Sequence, residues 1–220
     1  MTTEHYFTRR PAGEAELRPL EVRLAGRMRR LTTAGGVFSP GRLDAGTAVL
    51  LEHVPAPPAT GDLLDLGCGW GPIALQTALA SPAATVWAVD VNERALDLVR
   101  RNAEALGTPN VRAVRPEEVP EEVRFAQILS NPPIRVGKAV LHGMLADWVP
   151  RLAPDATAWL VVQKNLGSDS LQRWLVDELG DGFSVERSTS VKGYRVLRVH
   201  RADRAHRTDR VHGEPRGDAG

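Results

Sequence analysis

A glycine-rich segment around residue 65 constrains the fold of this 220-residue chain more than any other feature. A short apolar run ends at Asp65, and Gly67, Gly69 and Gly71 follow at every second position, directly before Pro72. Glycine allows positive φ and close approach of a ligand, and proline suits the first turn of a helix. The loop is tighter than the G-x-G-x-x-G loop of dinucleotide-binding proteins, and an acidic residue precedes it. The pattern predicts a ligand site at the carboxyl end of a parallel strand, with a preference for a cationic or amino-bearing ligand.

Strands and helices alternate from residue 62 onward, which predicts the α/β class. We expect a Rossmann-like, mostly parallel twisted sheet covered on both faces, with a closing antiparallel strand pair. The predicted strands are residues 63–66, 85–91, 111–114, 125–130, 156–163, 184–190 and 194–200, and the predicted helices are residues 73–80, 93–106, 140–152 and 170–179.

The remaining segments flank this domain, which we place at residues 61–200. Residues 1–60 are predicted to form a short N-terminal extension, with strands within residues 20–33 and a helix at residues 48–54. Four arginines in the first of these stretches are expected to face outward, either as a solvated face or as a phosphate-contacting patch: Arg23, Arg27, Arg29 and Arg30. Residues 201–220 have almost no apolar side chains and are predicted to be a disordered tail.

Charge and cysteine content limit the classes of function. The formal net charge is +1, so any basic surface that binds nucleic acid must be local. The single cysteine, Cys68, excludes an internal disulfide framework and fits a reducing compartment. No apolar run is long enough to cross a bilayer. We therefore predict a cytoplasmic protein without a membrane partner or a metal site, and we leave its oligomeric state open.

Two further polar positions follow central strands and are expected to meet the glycine loop. Asp90 ends the second strand, where a carboxylate can accept hydrogen bonds from both ribose hydroxyls of a nucleoside. Asn131, Pro132 and Pro133 follow the fourth strand. Prolines fix φ and lack N–H donors, so the Asn131 side-chain oxygen and the Pro132 carbonyl can both accept from one planar amino group. Such acceptors would stabilise positive charge that grows on the nitrogen as it attacks a methyl group.

With these motifs the chain resembles class I S-adenosylmethionine-dependent methyltransferases of the small-methyltransferase domain family. Within that family it is most similar to the guanine-N2 methyltransferases of small-subunit ribosomal RNA. The matching residues are His5, Tyr6, Phe7, residues 36–39, 43–47 and 65–71, Asp90 and residues 130–133.

The resemblance implies S-adenosylmethionine as cofactor and ribosomal RNA or the small ribosomal subunit as partner. The implied cofactor-binding residues are Asp65, Gly67, Gly69, Gly71, Asp90, Glu117 and Thr47. The implied catalytic residues are Asn131, Pro132 and Pro133. The resemblance implies that Phe38 lines the pocket, and Ile134 would offer the substrate apolar contact. Three basic residues that follow the Asn-Pro-Pro turn or the fifth strand would rim the pocket, either as contacts to phosphates beside an extruded base or as ordinary surface charges: Arg135, Lys138 and Lys164.

Two alternatives remain open from the sequence. The same chemistry could act on a glutamine side chain of a translation factor, although relatives of that kind usually carry tyrosine where this chain has Ile134. The chain could also be a non-catalytic, cofactor-binding scaffold for RNA assembly, because one fold hosts many functions.

Overall fold

The computed structural model describes residues 16–203 and, of Arg135, the backbone alone. Within this range the chain forms nine strands and five α-helices. The strands are β1 (Leu17–Leu24), β2 (Arg27–Ala34), β3 (Asp62–Leu66), β4 (Thr85–Val89), β5 (Val111–Val114), β6 (Phe125–Ser130), β7 (Leu152–Gln163), β8 (Phe183–Val191) and β9 (Tyr194–Arg201). The helices are α1 (Ala45–His53), α2 (Pro72–Ala80), α3 (Glu93–Leu106), α4 (Lys138–Trp148) and α5 (Ser168–Leu179).

Seven strands form one sheet in the order β5-β4-β3-β6-β7-β9-β8. The first five strands in this order are parallel, whereas β9 runs antiparallel to both β7 and β8. Leu64 and Leu66 of the central strand lie in one apolar cluster, while Leu63 lies in another, because successive side chains point to opposite faces. The Rossmann-like, mostly parallel fold with a closing antiparallel pair is therefore confirmed.

The hairpin β1–β2 forms a separate two-stranded sheet that packs on helices α2 and α3. Its buried face places Val22 and Leu24 in one cluster with Trp70. Asn102 of α3 fastens the hairpin, because its side chain accepts from the Thr32 N–H (2.8 Å) and donates to the Thr32 carbonyl (2.9 Å). The hairpin thereby delivers the following loop, residues 35–44, to the end of the large sheet.

The outward orientation predicted for the hairpin arginines holds for three of them. Arg23, Arg27 and Arg30 are exposed, but Arg29 pairs with buried Val22 in the register of the hairpin and is only half-exposed. Strand alternation therefore turns Arg29 toward the packed face, and the prediction is wrong at this position.

Several element boundaries differ from the prediction, and two of these differences have a local cause. Helix α1 begins at Ala45 rather than residue 48, because the Asp44 side chain caps it. Helix α4 ends at Trp148, since Pro150 lacks the N–H that a continuing helix would need, and a 3-10 turn leads directly into β7 at Leu152.

The predicted tail begins inside an element, because Arg201 is the last residue of β9. Residues 204–220 and the motif His5-Tyr6-Phe7 lie outside the described residues, so the division into three parts stays a prediction. Over the described range, none of the helices combines the length and the apolar character that a bilayer span needs.

Candidate active site

The glycine loop lies at the carboxyl end of the central strand β3. Its first two amides, of Gly67 and Cys68, both donate to the Val89 carbonyl at the end of β4, at 2.8 and 3.0 Å. Gly67 and Gly69 adopt φ of +76° and +54°, which allows this tight curve. The end of β4 thus anchors the loop that follows β3, and these hydrogen bonds hold the loop over the carboxyl edge of the sheet.

Asp90 fixes the same loop from the neighbouring strand. One of its carboxylate oxygens accepts from the Gly69 N–H and the other from the Asn92 N–H, both at 2.9 Å. Burial raises the pKa of Asp90, and these backbone donors oppose the rise. A carboxylate has about four acceptor positions, so Asp90 can hold the loop and still accept from a ligand.

Asp65 is the most deeply buried carboxyl group of the site, with 1% of its surface exposed. Its Oδ2 accepts from the Ala74 N–H in the first turn of α2 (2.9 Å), whereas its buried Oδ1 has no hydrogen-bond partner among residues 16–203. Burial raises its pKa to about 8, opposed by the Ala74 N–H and reinforced by the negative charge of Asp90. An unsatisfied buried acceptor beside the loop matches the cationic or amino-bearing ligand that the sequence predicts.

The Asn-Pro-Pro turn after β6 is tied to the glycine loop at its base. Ser130, fully buried, donates from its hydroxyl to the Leu66 carbonyl at 2.7 Å. The Pro132 carbonyl already accepts from the Ile134 N–H at 2.9 Å, and its second lone pair remains for another donor. A Cβ on Gly67 would lie 3.9 Å from Pro133 Cδ, so the two motifs face each other closely.

The Asn131 amide is held in one orientation by two acceptors at the start of α1. Its Nδ2 donates to Asp44 Oδ2 at 2.8 Å and to Thr47 Oγ1 at 3.0 Å. Asp44 Oδ2 also caps the helix by accepting from the Gly46 N–H (2.8 Å) and, less closely, from the Thr47 N–H (3.3 Å). With both amide hydrogens engaged, the oxygen Oδ1 is the group of Asn131 that is left to accept from a substrate.

One cavity of about 490 Å³ joins these features. Its walls include the glycine loop and Asp90, the Asn-Pro-Pro turn, the loop after the hairpin, and the ends of β7 and β9. The site residues predicted from sequence that line it are Phe38, Gly67, Gly69, Asp90, Asn131, Pro132, Pro133 and Ile134. A volume of this size suits a nucleoside-sized ligand together with part of a second one.

Other predicted cofactor residues lie at the margin of this cavity or behind it. Thr47 borders a small adjoining space and contacts Asn131. Gly71 packs away from the cavity, because a Cβ there would lie 2.9 Å from Val99 Cγ2. Glu117 is exposed and forms an ion pair with Arg115 at 3.5 Å, whereas its neighbour Pro116 lines the cavity.

Two of the predicted basic contacts, Lys138 and Lys164, lie outside the cavity lining. Lys138 is exposed at the first position of α4. Lys164 is exposed directly after β7, between the cavity-lining residues Gln163 and Leu166. Arg135 lies in the short 3-10 turn that follows the Asn-Pro-Pro segment.

Asp44, Tyr194 and Asn92 are among the site residues that were not identified from the sequence. Asp44 and Tyr194 both line the cavity, and Asn92 joins its wall to the hairpin loop by donating to the Gly36 carbonyl at 2.9 Å. Asp44 could have been found, since an Asp followed by an apolar helix start is a common N-cap pattern. Tyr194 gave no local signal, because its place depends on the pairing of β9 with Gln163 of β7.

Cys68 is a small buried residue of the glycine loop. Only 4% of its surface is exposed, and burial raises the pKa of its thiol well above the usual value, reinforced by Asp90 and Asp65. A protonated thiol is a poor nucleophile, so this cysteine serves the packing of the loop.

A comparison with protein families and with known proteins identifies the fold and its chemistry. The profile of the methyltransferase small domain matches residues 28–198. A Bacillus subtilis protein described as uncharacterized protein YbxB is 35% identical over 202 residues, which cover 90% of this chain and 99% of that protein. The ribosomal RNA small subunit methyltransferase C of Aeromonas hydrophila is 35% identical over 122 residues, which cover 54% of this chain and 34% of that enzyme.

Among solved structures, a 16S rRNA N2 methyltransferase of Thermus thermophilus, in complex with AdoMet and guanosine, superposes with a TM-score of 0.72 at 26% identity. The alignment covers 84% of this chain and 50% of that one, so this chain spans about half of the Thermus enzyme and about a third of the Aeromonas enzyme. The cavity fits S-adenosylmethionine, since Gly67, Gly69 and the Asp90 carboxylate line it. Asp65 lies outside this lining and holds a buried, unsatisfied oxygen in β3, directly before the glycine loop. The chain belongs to the methyltransferase small domain family and is an S-adenosylmethionine-dependent methyltransferase.

Proposed function

We propose that the protein methylates the N2 amino group of guanine in small-subunit ribosomal RNA. The observation that carries this proposal is the fixed orientation of the Asn131 amide, whose Nδ2 is bound by Asp44 and Thr47. An acceptor is therefore presented to the substrate, and an acceptor selects an amino group. The named relatives that act on small-subunit ribosomal RNA supply the acceptor class.

When bound, S-adenosylmethionine supplies a methyl group on a positively charged sulfur. Asn131 Oδ1 and the second lone pair of the Pro132 carbonyl accept the two hydrogens of the target amino group and fix its plane. Bound S-adenosylmethionine would supply the methyl group to the nitrogen lone pair and would keep the electron pair of the broken C–S bond on sulfur. One N–H proton would pass to water. The two acceptors stabilise the positive charge on nitrogen during this step, so orientation and electrostatics carry most of the catalysis.

The cofactor-side residues contribute a preformed site rather than chemistry. Gly69 is already bonded to Asp90, and the loop is already bonded to Val89, so little ordering is needed on binding. Preorganisation of this kind lowers the entropic cost of binding. Asp90 would hold the ribose, and Asp65 would lie near the positive charges of the methionine part.

The RNA would be engaged through a base that leaves its stack. A paired guanine cannot present its amino group inside a cavity, so the target is unpaired or flipped. Exposed Lys138 and Lys164 and the exposed arginines of the hairpin would meet neighbouring phosphates. In the cell such an enzyme would work in the cytoplasm, where ribosomal subunits are assembled.

The test offers tritium-labelled S-adenosylmethionine with three acceptors: naked ribosomal RNA, isolated small subunits, and a protein fraction. The proposal predicts label in RNA, in the naked or the assembled form. It also predicts that Asn131→Ala loses at least about 100-fold in kcat, a typical cost for one acceptor that stabilises developing charge, while S-adenosylmethionine affinity changes less than threefold. Label confined to protein would favour the glutamine alternative. Full biological activity in Asn131→Ala would favour the non-catalytic scaffold.

A further inference from the structure

Asp44 presents a second acceptor beside Asn131 that the proposed transfer does not use. Its Oδ2 takes all the hydrogen bonds that the carboxylate makes within residues 16–203, from the Gly46 and Thr47 amides and from Asn131 Nδ2. Asp44 lines the cavity, yet its Oδ1 carries no hydrogen bond from the described residues. A carboxylate oxygen in a cavity wall can accept a hydrogen bond from a bound ligand.

The neighbourhood of this oxygen is shaped for a planar group. Tyr194 packs against the start of α1, so closely that a Cβ on Gly46 would lie 3.0 Å from its ring atom Cε1 and 3.0 Å from Asp44 Oδ2. Tyr194 also lines the cavity, and Phe38, 43% exposed, lines it from the loop after the hairpin. Aromatic surfaces of this kind suit a flat base, whose edge would then meet the polar groups of Asn131 and Asp44.

Amino-bearing substrates differ in the group that lies next to the amino nitrogen, and this group decides whether they fit two neighbouring acceptors. Guanine carries a second donor, N1–H, directly beside its N2 amino group. Adenine and cytosine carry a ring nitrogen acceptor beside theirs, and a glutamine amide carries its own carbonyl oxygen. A carboxylate at this position attracts the first pattern and repels the other three, and sites built on such contacts discriminate strongly.

We propose that Asp44 is the specificity-determining residue of the site: its Oδ1 accepts the N1–H of guanine while Asn131 Oδ1 accepts from the N2 amino group. This inference rests on the proposed function, since it assumes that the target is a base with an exocyclic amino group. It assigns to one carboxylate two separate tasks, because Oδ2 caps α1 and orients Asn131 whereas Oδ1 reads the substrate.

Asp44→Asn separates these two tasks with little change in shape. The three N–H groups that now meet Oδ2 can be accepted only by the carbonyl oxygen of asparagine, so its NH₂ group takes the place of Oδ1. The variant therefore presents a donor where the native protein presents an acceptor. Asp177→Asn, at an exposed position of α5, is the matched control for the loss of one negative charge.

The experiment measures binding of guanosine and of 2-aminopurine riboside to the full chain loaded with S-adenosylhomocysteine. Both nucleosides carry the 2-amino group, but N1 of 2-aminopurine is an acceptor, whereas N1–H of guanosine is a donor. The fluorescence of 2-aminopurine riboside reports its binding directly, and guanosine binding is measured by competition with it. The native protein and Asp177→Asn should prefer guanosine at least tenfold. Asp44→Asn should shift the ratio at least tenfold toward 2-aminopurine riboside, with S-adenosylhomocysteine affinity and melting temperature close to native values.

An unchanged guanosine preference in Asp44→Asn would overturn the inference. So would a native protein that binds neither nucleoside at millimolar concentration. Failure of the proposed function has a different signature, because the native protein would then transfer no methyl group to RNA whatever its nucleoside preference. If the native protein methylates RNA guanine and Asp44→Asn keeps the native preference for guanosine, the proposed function stands and Asp44 is not the residue that recognises N1–H.

Discussion

Thr47 offers a direct test of how the Asn131 amide is oriented. The sequence resemblance implies that Thr47 binds the cofactor, whereas the structure places its hydroxyl 3.0 Å from Asn131 Nδ2. Thr47→Val removes this acceptor and keeps the shape of a side chain that is only 3% exposed. The two possibilities predict changes in different constants.

The magnitude follows from the hydrogen bonds that hold the amide. Turning the amide over would lose the bond to Thr47, worth about 0.5–1.5 kcal/mol, and the bond to the Asp44 carboxylate, worth about 1.5–3 kcal/mol. The native orientation is thus favoured by about 2–4.5 kcal/mol. Without the hydroxyl the bond to Asp44 still favours the native orientation by about 1.5–3 kcal/mol, so the amide does not turn over. The Thr47 bond instead holds Asn131 Oδ1 in place during the transfer, so its loss should lower kcat about 2- to 12-fold at unchanged S-adenosylmethionine affinity.

The assay is single-turnover methyl transfer to RNA, combined with calorimetric titration of S-adenosylmethionine. Thr47→Ser is the matched control, because it keeps the hydroxyl and should retain most of the rate. A Thr47→Val variant with native kcat would refute the positioning argument. A variant whose S-adenosylmethionine affinity falls in proportion to its rate would instead place Thr47 in the cofactor site.

Three further predictions concern the cofactor side. Either alanine substitution at a positive φ should cost roughly 1–3 kcal/mol of stability, but Gly71→Ala should be the less stable variant, because only its Cβ would lie 2.9 Å from Val99. Gly67→Ala should instead be the variant that loses S-adenosylmethionine affinity, and equal affinities of the two variants would contradict this division. Asp90→Ala should weaken S-adenosylmethionine binding by about 1–3 kcal/mol in calorimetry, since partners of its carboxylate are left unsatisfied, and native affinity would remove Asp90 from the site. Asp65 has a pKa of about 8 in the folded chain, so it binds its proton more tightly in the folded than in the unfolded state. Its contribution to the free energy of unfolding should therefore decline between about pH 4 and pH 8, by at most about 1.4 kcal/mol per pH unit. Thermal unfolding should show this decline in the native chain and a flatter pH profile in Asp65→Asn, and parallel profiles would argue against it.

The sequence predicts the framework of the site well, because that framework is local. Asp65, the three glycines and Pro72 lie within eight positions of the chain, from the end of β3 to the first residue of α2. Local patterns of glycine and proline have direct conformational meaning. The Asn-Pro-Pro turn follows β6 in the same way. Parallel strand order then brings both motifs to one edge of the sheet.

What the sequence does not predict depends on contacts between distant segments. Asp44 meets Asn131 across 87 positions of the chain, and Tyr194 reaches the cavity only through the register of β7 and β9. Gly71 belongs to the glycine motif by spacing, yet its packing against Val99 of α3 becomes visible only in three dimensions. Spacing therefore identifies the motif, and packing decides which of its members lie in the cavity.

The central claim is that the site presents acceptors to the amino group of guanine. The most direct measurement is the identity of the methylated nucleoside after the purified protein has acted on small-subunit ribosomal RNA with labelled S-adenosylmethionine, determined by digestion and mass spectrometry. The account predicts N2-methylguanosine as the labelled product, and its loss in Asn131→Ala. Label in a methylated adenosine or cytidine, or in N5-methylglutamine of a protein and in no nucleoside, would contradict it.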